Sequence, residues 1–383
     1  MTETLDAALA SGARSSSRVQ RRDVLVVGGG IAGIEALMAL ADLGDNRLRL
    51  RLVAPRASFG VPRDALGVPW GAPLVEVDLE RLCRAFGALS TIATVTGVDA
   101  DLHEAHVEGG ATIAFERLLL APGARPHLAY PGTPSLGFGA LPHQLATDGA
   151  ASVAIVVPDG VSWTLPAYQL ALMTAAEGRD VRVVTAEDHA LAAFGAGTRT
   201  AVRDLLARHD VVVETGAAPR PGASVGDLAD LVVSLPLLRG VGIAGLPTDA
   251  DGFVHVDAHG AVLGLADVWA AGDAGDYTMK QGGLAAQQAE SAAVEIVRSC
   301  DGEIPRRSHA PVLSGLLAAG GEELFLRRTL DGLDPGRASA EALWEPPAAI
   351  CAPRLARWLE VHRHELDHSD SARTTPPTGG NGP

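Results

Sequence analysis

A glycine triplet between a strand and a helix constrains the fold of this chain more than any other feature of its sequence. Residues 23–27 form a short apolar run, and residues 34–43 have helical spacing. In such a unit the first glycine permits a tight turn, the second lets the backbone approach a pyrophosphate, and the third lets the helix pack against the strand. The turn therefore predicts a Rossmann-type domain. Its expected nucleotide contacts are Gly28, Gly30, Ile31, Ala32 and Gly33.

The second strand of this unit, predicted at 48–54, lacks the acidic residue that usually follows it and holds the ribose hydroxyls. Ala54, Pro55 and Arg56 occupy that position instead. These three residues are still expected to line the nucleotide site, because they lie at the carboxyl end of the strand.

A second motif, far downstream, favours FAD over NAD. An apolar strand at 268–271 leads into Gly272 and Asp273. The aspartate can accept hydrogen bonds from a ribityl chain, and the glycine lets the cofactor lie against the backbone. The two motifs together predict a flavin site.

Four blocks of the sequence, at 28–35, 118–125, 251–257 and 268–273, resemble a known flavoprotein family. They are similar to pyridine nucleotide-disulfide oxidoreductases, which are FAD-dependent and have two dinucleotide-binding domains. The greatest similarity is to sulfide:quinone oxidoreductases and type II NADH dehydrogenases. The resemblance implies that FAD lies between the first domain and a substrate pocket near the C-terminal segment. With the helix start that follows Asp273, it adds these expected FAD contacts: Pro62, Ala121, Pro122, Gly123, Gly283 and Leu284.

The order of elements predicts an α/β fold with two Rossmann-like three-layer domains and a small C-terminal cap. The second unit, with strands at 152–157 and 181–185 around a helix at 166–176, echoes the first and interrupts it. The expected segments are an FAD domain at 23–147 and 239–303, an inserted NAD-domain-like unit at 148–238, a cap at 304–367, and disordered tails at 1–22 and 368–383.

The cysteine chemistry of these relatives is not predicted here. Disulfide reductases carry a cysteine pair soon after the first βαβ unit, but residues 58–68 contain no cysteine. Trp163 occupies the place of a cysteine that sulfide:quinone oxidoreductases use beside the flavin. An indole cannot replace a thiolate nucleophile, so a persulfide relay is not expected. Cys83, Cys300 and Cys351 are expected to be structural, and Cys351 is the one most worth testing.

The second dinucleotide loop is degenerate, because residues 157–162 contain one glycine instead of three. NAD(P)H therefore stays open as a donor, although approach of its pyrophosphate is obstructed. Gln169 lies where type II NADH dehydrogenases often have a glutamate linked to proton delivery, and an amide has no proton to exchange near neutral pH. Glu187 and Asp188 follow the later strand and could hold a ribose hydroxyl, or could be ordinary loop acids.

Four side chains are predicted to face the reacting side of the flavin. Lys280, the only lysine in the chain, would place positive charge near the ring, and the alternative is an exposed loop position. Trp163 and Tyr168 approach the flavin by resemblance, or they fill a gap between domains. Gln287 matches the later glutamine of a pattern that often marks the quinone pocket in the dehydrogenase-like relatives. The Ala-Gln pair that precedes it in that pattern is replaced here by Gly282 and Gly283.

The formal net charge of −15 argues against a nucleic-acid partner, because phosphate binding needs clustered basic residues. No run of eighteen apolar residues occurs, so no spanning helix is expected, while an amphipathic stretch around Trp358 leaves peripheral membrane contact open. Three widely spaced cysteines indicate a reducing compartment, and the cytoplasm is the expected location. No metal site is predicted, and a homodimer stays open.

These observations predict an FAD-dependent oxidoreductase that carries out two-electron hydride chemistry on a small organic molecule or a quinone-like acceptor. NAD(P)H or the substrate itself is left open as the donor, and oxygen, a quinone or a protein as the acceptor. The alternative is a catalytically modified flavin-binding subunit that docks a partner enzyme or a membrane surface.

Overall fold

Two parallel β-sheets organise the fold in the computed structural model, which describes residues 21–62, 74–136, 149–300, 304–305, 310–345 and 351–362. The helices in these residues are α1 (Ile31–Gly44), α2 (Leu79–Ala85), α3 (Leu165–Ala176), α4 (Arg199–Arg208), α5 (Gly282–Ser299) and α6 (353–362). The strands are β1 (Arg22–Val27), β2 (Leu48–Ala54), β3 (Ser58–Pro62), β4 (Leu74–Asp78), β5 (Leu89–Ile92), β6 (Val95–Asp99), β7 (Glu104–Val107), β8 (Thr112–Ala114), β9 (Arg117–Leu120), β10 (Ala124–His127), β11 (Ser152–Val157), β12 (Asp180–Thr185), β13 (Val212–Glu214), β14 (Leu231–Ser234), β15 (Leu237–Gly240), β16 (Val268–Ala270), β17 (Val312–Ala319), β18 (Glu322–Thr329) and β19 (Arg337–Ser339).

The first sheet has five parallel strands in the order β16-β9-β1-β2-β5. Its central strands are continuous apolar runs, because both faces of a parallel sheet are covered. Residues 24–27 and 118–120 are accordingly buried. The carboxyl ends of β1, β9 and β16 meet at one edge, which brings Gly28, Ala121 and Gly272 together although they are far apart in the sequence.

Helices α1 and α5 pack against each other on one face of this sheet. Ile34, Leu37 and Leu40 of α1 are completely buried. A helix that is apolar on most sides requires cover on most sides, and the sheet, α5 and α6 supply it. The N-terminal ends of α1 and α5 consequently lie at the same edge as the three strand ends.

The second sheet is also parallel, in the order β13-β12-β11-β14. Helix α3 follows β11 and starts with Pro166 in its first turn, where proline costs no hydrogen bond. The antiparallel ribbon of β10 and β15 carries the chain from the first sheet to the second and back. The predicted α/β class with two Rossmann-like units is thus confirmed, while the exact domain boundaries stay predictions.

The C-terminal segment divides between the two domains. The antiparallel strands β17, β18 and β19 pack on the core of the second domain through Leu313, Leu317 and Leu326. Helix α6 instead packs on the core of the first domain through Leu355 and Trp358. The segment predicted as one cap therefore covers both cores.

Candidate flavin site

The three motif glycines between β1 and α1 differ in the space around them: Gly28 and Gly33 have no room for a Cβ, whereas Gly30 has. Gly28 has φ +113°, and a Cβ there would lie 2.0 Å from the carbonyl oxygen of Ala121. A Cβ on Gly33 would lie 1.9 Å from the carbonyl oxygen of Gly28. A Cβ on Gly30 would meet nothing nearer than Phe59 Cε2 at 3.9 Å. Gly28 and Gly33 are thus required by packing, whereas Gly30 leaves room for a phosphate at the helix N-terminus.

A cleft of about 610 Å³ extends from this turn. Its size lies within the roughly 300–1,000 Å³ typical of ligand sites. Both domains contribute to its walls. The predicted site residues that line it are Gly28, Gly30, Ile31, Ala32, Ala54, Pro55, Arg56, Ala121, Pro122, Gly123, Trp163, Gly272, Asp273 and Lys280. Pro62 is the last residue of β3, and its predicted approach to the flavin ring stays a prediction.

Gly272 and Asp273 form the far wall of the cleft. Gly272 has φ +70°, which favours glycine, and a Cβ there would lie within a tight 3.0 Å of the Cβ of Ala32 and 3.3 Å of that of Ala285. The buried side chain of Gln288 accepts a hydrogen bond from the Gly272 N–H at 3.0 Å. In the described part of the chain, the structure shows no hydrogen-bond donor to the Asp273 carboxylate. Burial raises the pKa of this group, and Lys280 opposes the rise.

The side chain of Lys280 is half-buried rather than exposed in a loop. Its ammonium donates to the carbonyl oxygen of Gly275 and lies 3.8 Å from the centroid of the Phe253 ring. Burial lowers its pKa, while the carboxylates of Asp273, Asp249 and Asp276 raise it. Its backbone N–H donates to Ser162 Oγ at 3.3 Å, which ties the flavin motif to the second domain. Lys280 therefore brings positive charge beside Asp273.

The start of α5 is capped by its own sequence. Gln281 Oε1 accepts from the Leu284 N–H at 2.7 Å, and the carbonyl oxygen of Gln281 accepts from the Ala285 N–H at 2.8 Å. These N–H groups are therefore engaged and do not point freely at a ligand. The side chain of Leu284 packs in the second core, and the predicted flavin contact of this residue stays a prediction. Gly283 is not among the described residues that line the cleft. A Cβ on Gly283 would point at the side chains of Gln281 and Cys351.

Comparison with known proteins connects this cleft to a family. The family model described as pyridine nucleotide-disulphide oxidoreductase matches residues 22–293. The chain belongs to this family. Its members are FAD-dependent oxidoreductases, so the predicted family, enzyme class and cofactor are confirmed. The glycine turn and the close approach at Gly272 fit bound FAD, and so does the Asp273 carboxylate, which accepts no hydrogen bond from the residues that the structure describes.

Solved structures share the fold at low sequence identity. The sulfide:quinone oxidoreductase of Aquifex aeolicus has a TM-score of 0.70 at 19% identity, over 89% of this chain and 95% of that one. A ferredoxin reductase of Rhodopseudomonas palustris has a TM-score of 0.60 at 17% identity, over 82% and 83% of the two chains. The water-forming NADH oxidase of Lactobacillus brevis has a TM-score of 0.57 at 15% identity, over 80% and 75%. No curated protein matches the sequence.

The second domain presents the indole of Trp163 to the cleft. Trp163 is half-buried, lines the cleft, and packs its ring 5.9 Å from that of Phe194. Tyr168 is not among the described residues that line the cleft, and its predicted approach to the flavin stays a prediction. It is completely buried within the second domain, and its hydroxyl donates to Glu187 Oε2 at 2.7 Å. The family resemblance implied that both residues approach the flavin, with packing between the domains as the alternative, and Tyr168 packs in the core of the second domain.

The side-chain amide of Gln287 is engaged within the protein, and its predicted catalytic role stays a prediction. Its Nε2 donates to the carbonyl oxygens of Gly283 at 3.1 Å and Val312 at 2.9 Å. Its Oε1 accepts from the Val312 N–H at 2.8 Å. Both ends of the amide are therefore used to hold β17 against α5. The neighbouring Gln288, which the sequence analysis missed, is the glutamine that supports the flavin motif.

No cysteine is among the residues that line the cleft in the described part of the chain. Burial raises the pKa of Cys83 to about 11, and it also raises that of Cys351. Cys300 is buried at the end of α5. High thiol pKa values and burial oppose formation of a reactive thiolate.

The described residues show no metal-ligating cluster and no membrane-spanning helix. The described residues include no group of three or more side chains arranged to hold a metal ion. Over the same residues, every helix is too short or too polar to cross a bilayer.

Proposed function

We propose that this oxidoreductase transfers hydride between its flavin and a small organic molecule or a quinone-like acceptor, without a cysteine relay. The observation that carries the proposal is Trp163. It supplies an apolar indole wall where the second domain reaches the cleft, and none of the described residues that line the cleft carries a thiol. A thiolate would be required for attack on sulfur.

The chain's own residues provide a binding site for FAD, which supplies the hydride-accepting ring when bound. Gly30 and the first turn of α1 would hold the pyrophosphate. The Asp273 carboxylate would accept hydrogen bonds from ribityl hydroxyls, for which it has unused acceptor capacity. Lys280 would stabilise negative charge that develops on the reduced ring.

The apolar part of the cleft favours an uncharged or weakly polar reactant at the Trp163 side. An indole offers a large flat surface and excludes water, so it can orient a planar molecule by stacking. It has no proton to give or take near neutral pH. The reactant's own hydroxyl or amine protons would then pass to solvent or to the reduced flavin.

Anaerobic flavin reduction tests this proposal. Sulfide, an alcohol and amine panel, and a quinol are mixed with the wild type and with the variant Cys83→Ala/Cys300→Ala/Cys351→Ala, and loss of the visible flavin band is followed. We expect an organic donor or quinol to reduce both proteins at rates within about threefold, because no thiol takes part. Cys83→Ala alone controls for loosening of the core.

A cysteine-free variant that keeps its FAD but loses reduction would overturn the proposal. Rapid reduction of the wild type by sulfide, abolished in Cys351→Ala, would do the same. Trp163→Ala should keep FAD and alter the preference among organic donors, since it removes the wall and not the flavin contacts.

A further inference from the structure

We propose that the Glu187 carboxylate closes the second dinucleotide site, so that this side chain excludes NAD(P)H. The inference deepens the proposed function because it excludes NAD(P)H as the electron donor. It rests on that function only for the statement that a bound flavin receives the electrons. Its own basis is the arrangement of Glu187, Tyr168 and Thr164 at the carboxyl edge of the second sheet.

Glu187 lies where a nucleotide would bind. Strands β11 and β12 are parallel neighbours, and their last residues, Val157 and Thr185, are paired in register. In a Rossmann unit the pyrophosphate lies at the start of the helix that follows the first of these strands, and the ribose lies past the end of the second. Thr164 is the N-cap residue of α3, and Glu187 follows β12 by two residues.

The carboxylate of Glu187 is turned inward and fully occupied. Its Oε1 accepts from Thr164 Oγ1 at 3.1 Å and from the Ala192 N–H at 3.0 Å. Its Oε2 accepts from the Tyr168 hydroxyl at 2.7 Å and from Thr185 Oγ1 at 3.2 Å. A carboxylate has about four acceptor positions, so none is left for a ribose hydroxyl. An internal anion thus stands beside the start of α3, where a pyrophosphate would otherwise be held.

Two of the donors on Glu187 are buried hydroxyls, those of Thr164 and Tyr168. Burial with the neighbouring carboxylate raises the pKa of Tyr168, which keeps its hydroxyl protonated as a donor. Swinging Glu187 out to meet a ribose would take a charged acceptor away from both buried hydroxyls, which costs free energy. The network therefore resists opening.

The loop beside this network adds a second negative group. Asp159 lies in the turn after β11, and its Oδ1 accepts from the Gly160 N–H at 2.9 Å. That N–H is consequently not free to bind a phosphate oxygen. The closed site thus combines an internal anion at the helix start with an acidic turn, and both repel a dinucleotide pyrophosphate.

Calorimetric titration of the FAD-loaded protein with NADH and with NADPH tests the inference without relying on turnover. We expect no saturable binding to the wild type at millimolar concentrations. Glu187→Ala should bind at least one of the two nucleotides, at least about tenfold more tightly than the wild type limit, because like-charge repulsion is removed. Asp188→Asn, an exposed neighbour, is the charge-matched control and should not bind.

Tyr168→Phe keeps the aromatic core and removes one donor, so it tests the network if Glu187→Ala loses its fold. It should release Glu187 enough to give measurable binding, and circular dichroism and FAD content report whether each variant is folded. Saturable binding to the wild type in the micromolar range would overturn the inference. Absence of any gain in both variants, when folded, would also overturn it, because the loop and not Glu187 would then be the barrier. Failure of the proposed hydride chemistry would leave these binding results unchanged.

Discussion

Replacing Glu35 by glutamine should stabilise the docked C-terminal helix at alkaline pH. Glu35 lies in α1, is 3% exposed, and its Oε1 accepts from the Leu355 N–H in the first turn of α6 at 2.8 Å. The residue before this helix, Ala352, has no capping side chain, so Glu35 provides the cap from a distant element. Burial, opposed by Leu355 and Arg354, raises the pKa of Glu35 to about 7.

The charged groups around Glu35 explain why its proton is retained. Arg354 favours the ionised form, but it is shared with Glu290, at 2.9 Å, and with Asp42. Glu290 itself raises the pKa of Glu35. Desolvation is the largest effect, because the carboxylate leaves water for an apolar helix interface.

The raised pKa sets the direction of the pH dependence. The folded protein binds the Glu35 proton more tightly than the unfolded chain, whose ordinary pKa is 4.5. This contribution to stability is therefore fully present below about pH 4.5 and is lost as the pH rises through about 7. At about 1.36 kcal/mol per pKa unit, the loss is about 3 kcal/mol, most of it between pH 5 and pH 8.

Hydrogen exchange of the peptide that covers residues 353–362 measures this quantity directly. After correction for intrinsic rates, wild-type protection should fall by on the order of fiftyfold between pH 5 and pH 8, and Glu35→Gln should remove most of that fall. Glu80→Gln is the matched control, because Glu80 is an exposed helical glutamate paired with Arg84. Lower protection in Glu35→Gln than in the wild type at pH 8 would refute the reasoning.

Four substitutions test the flavin site. Gly28→Ala should lower the free energy of unfolding by more than about 3 kcal/mol, measured by thermal unfolding, because φ is +113° and the new Cβ meets a carbonyl oxygen. Gly30→Ala should fold normally, because its Cβ has room, but should lose FAD on dialysis. Gln288→Leu should cost about 1–3 kcal/mol of stability by stranding the buried Gly272 N–H. Lys280→Met should lower the flavin midpoint potential in a dye-linked redox titration, by removing positive charge near the ring. Unchanged FAD content in Gly30→Ala, or an unchanged potential in Lys280→Met, would contradict the assigned positions.

Local patterns in the sequence were sufficient to predict the first nucleotide-binding unit. The strand predicted at 48–54 is Leu48–Ala54, and the glycine turn lies between β1 and α1 as expected. Here the requirement for glycine is steric and arises within a few residues, so spacing alone reveals it. Asp273 was found in the same way, because the motif directly follows its strand.

The residues that decide what the second domain can bind could not be predicted in this way. Glu187 was left open as a ribose ligand, and only the packing of α3 against β12 shows that its oxygens are occupied by Thr164 and Tyr168. Glu35 and Leu355 are 320 residues apart, so no local pattern links them. Gln287 and Gln288 are adjacent in one helix, and only the structure shows which of them faces the flavin motif.

The visible absorption spectrum of the purified protein, with the released cofactor identified by chromatography, tests the central claim most directly. We expect the oxidised flavin bands and about one FAD per chain, held without covalent attachment by the cleft between the glycine turn and Asp273. A protein that is purified without flavin and does not take up added FAD would contradict the assignment of this cleft.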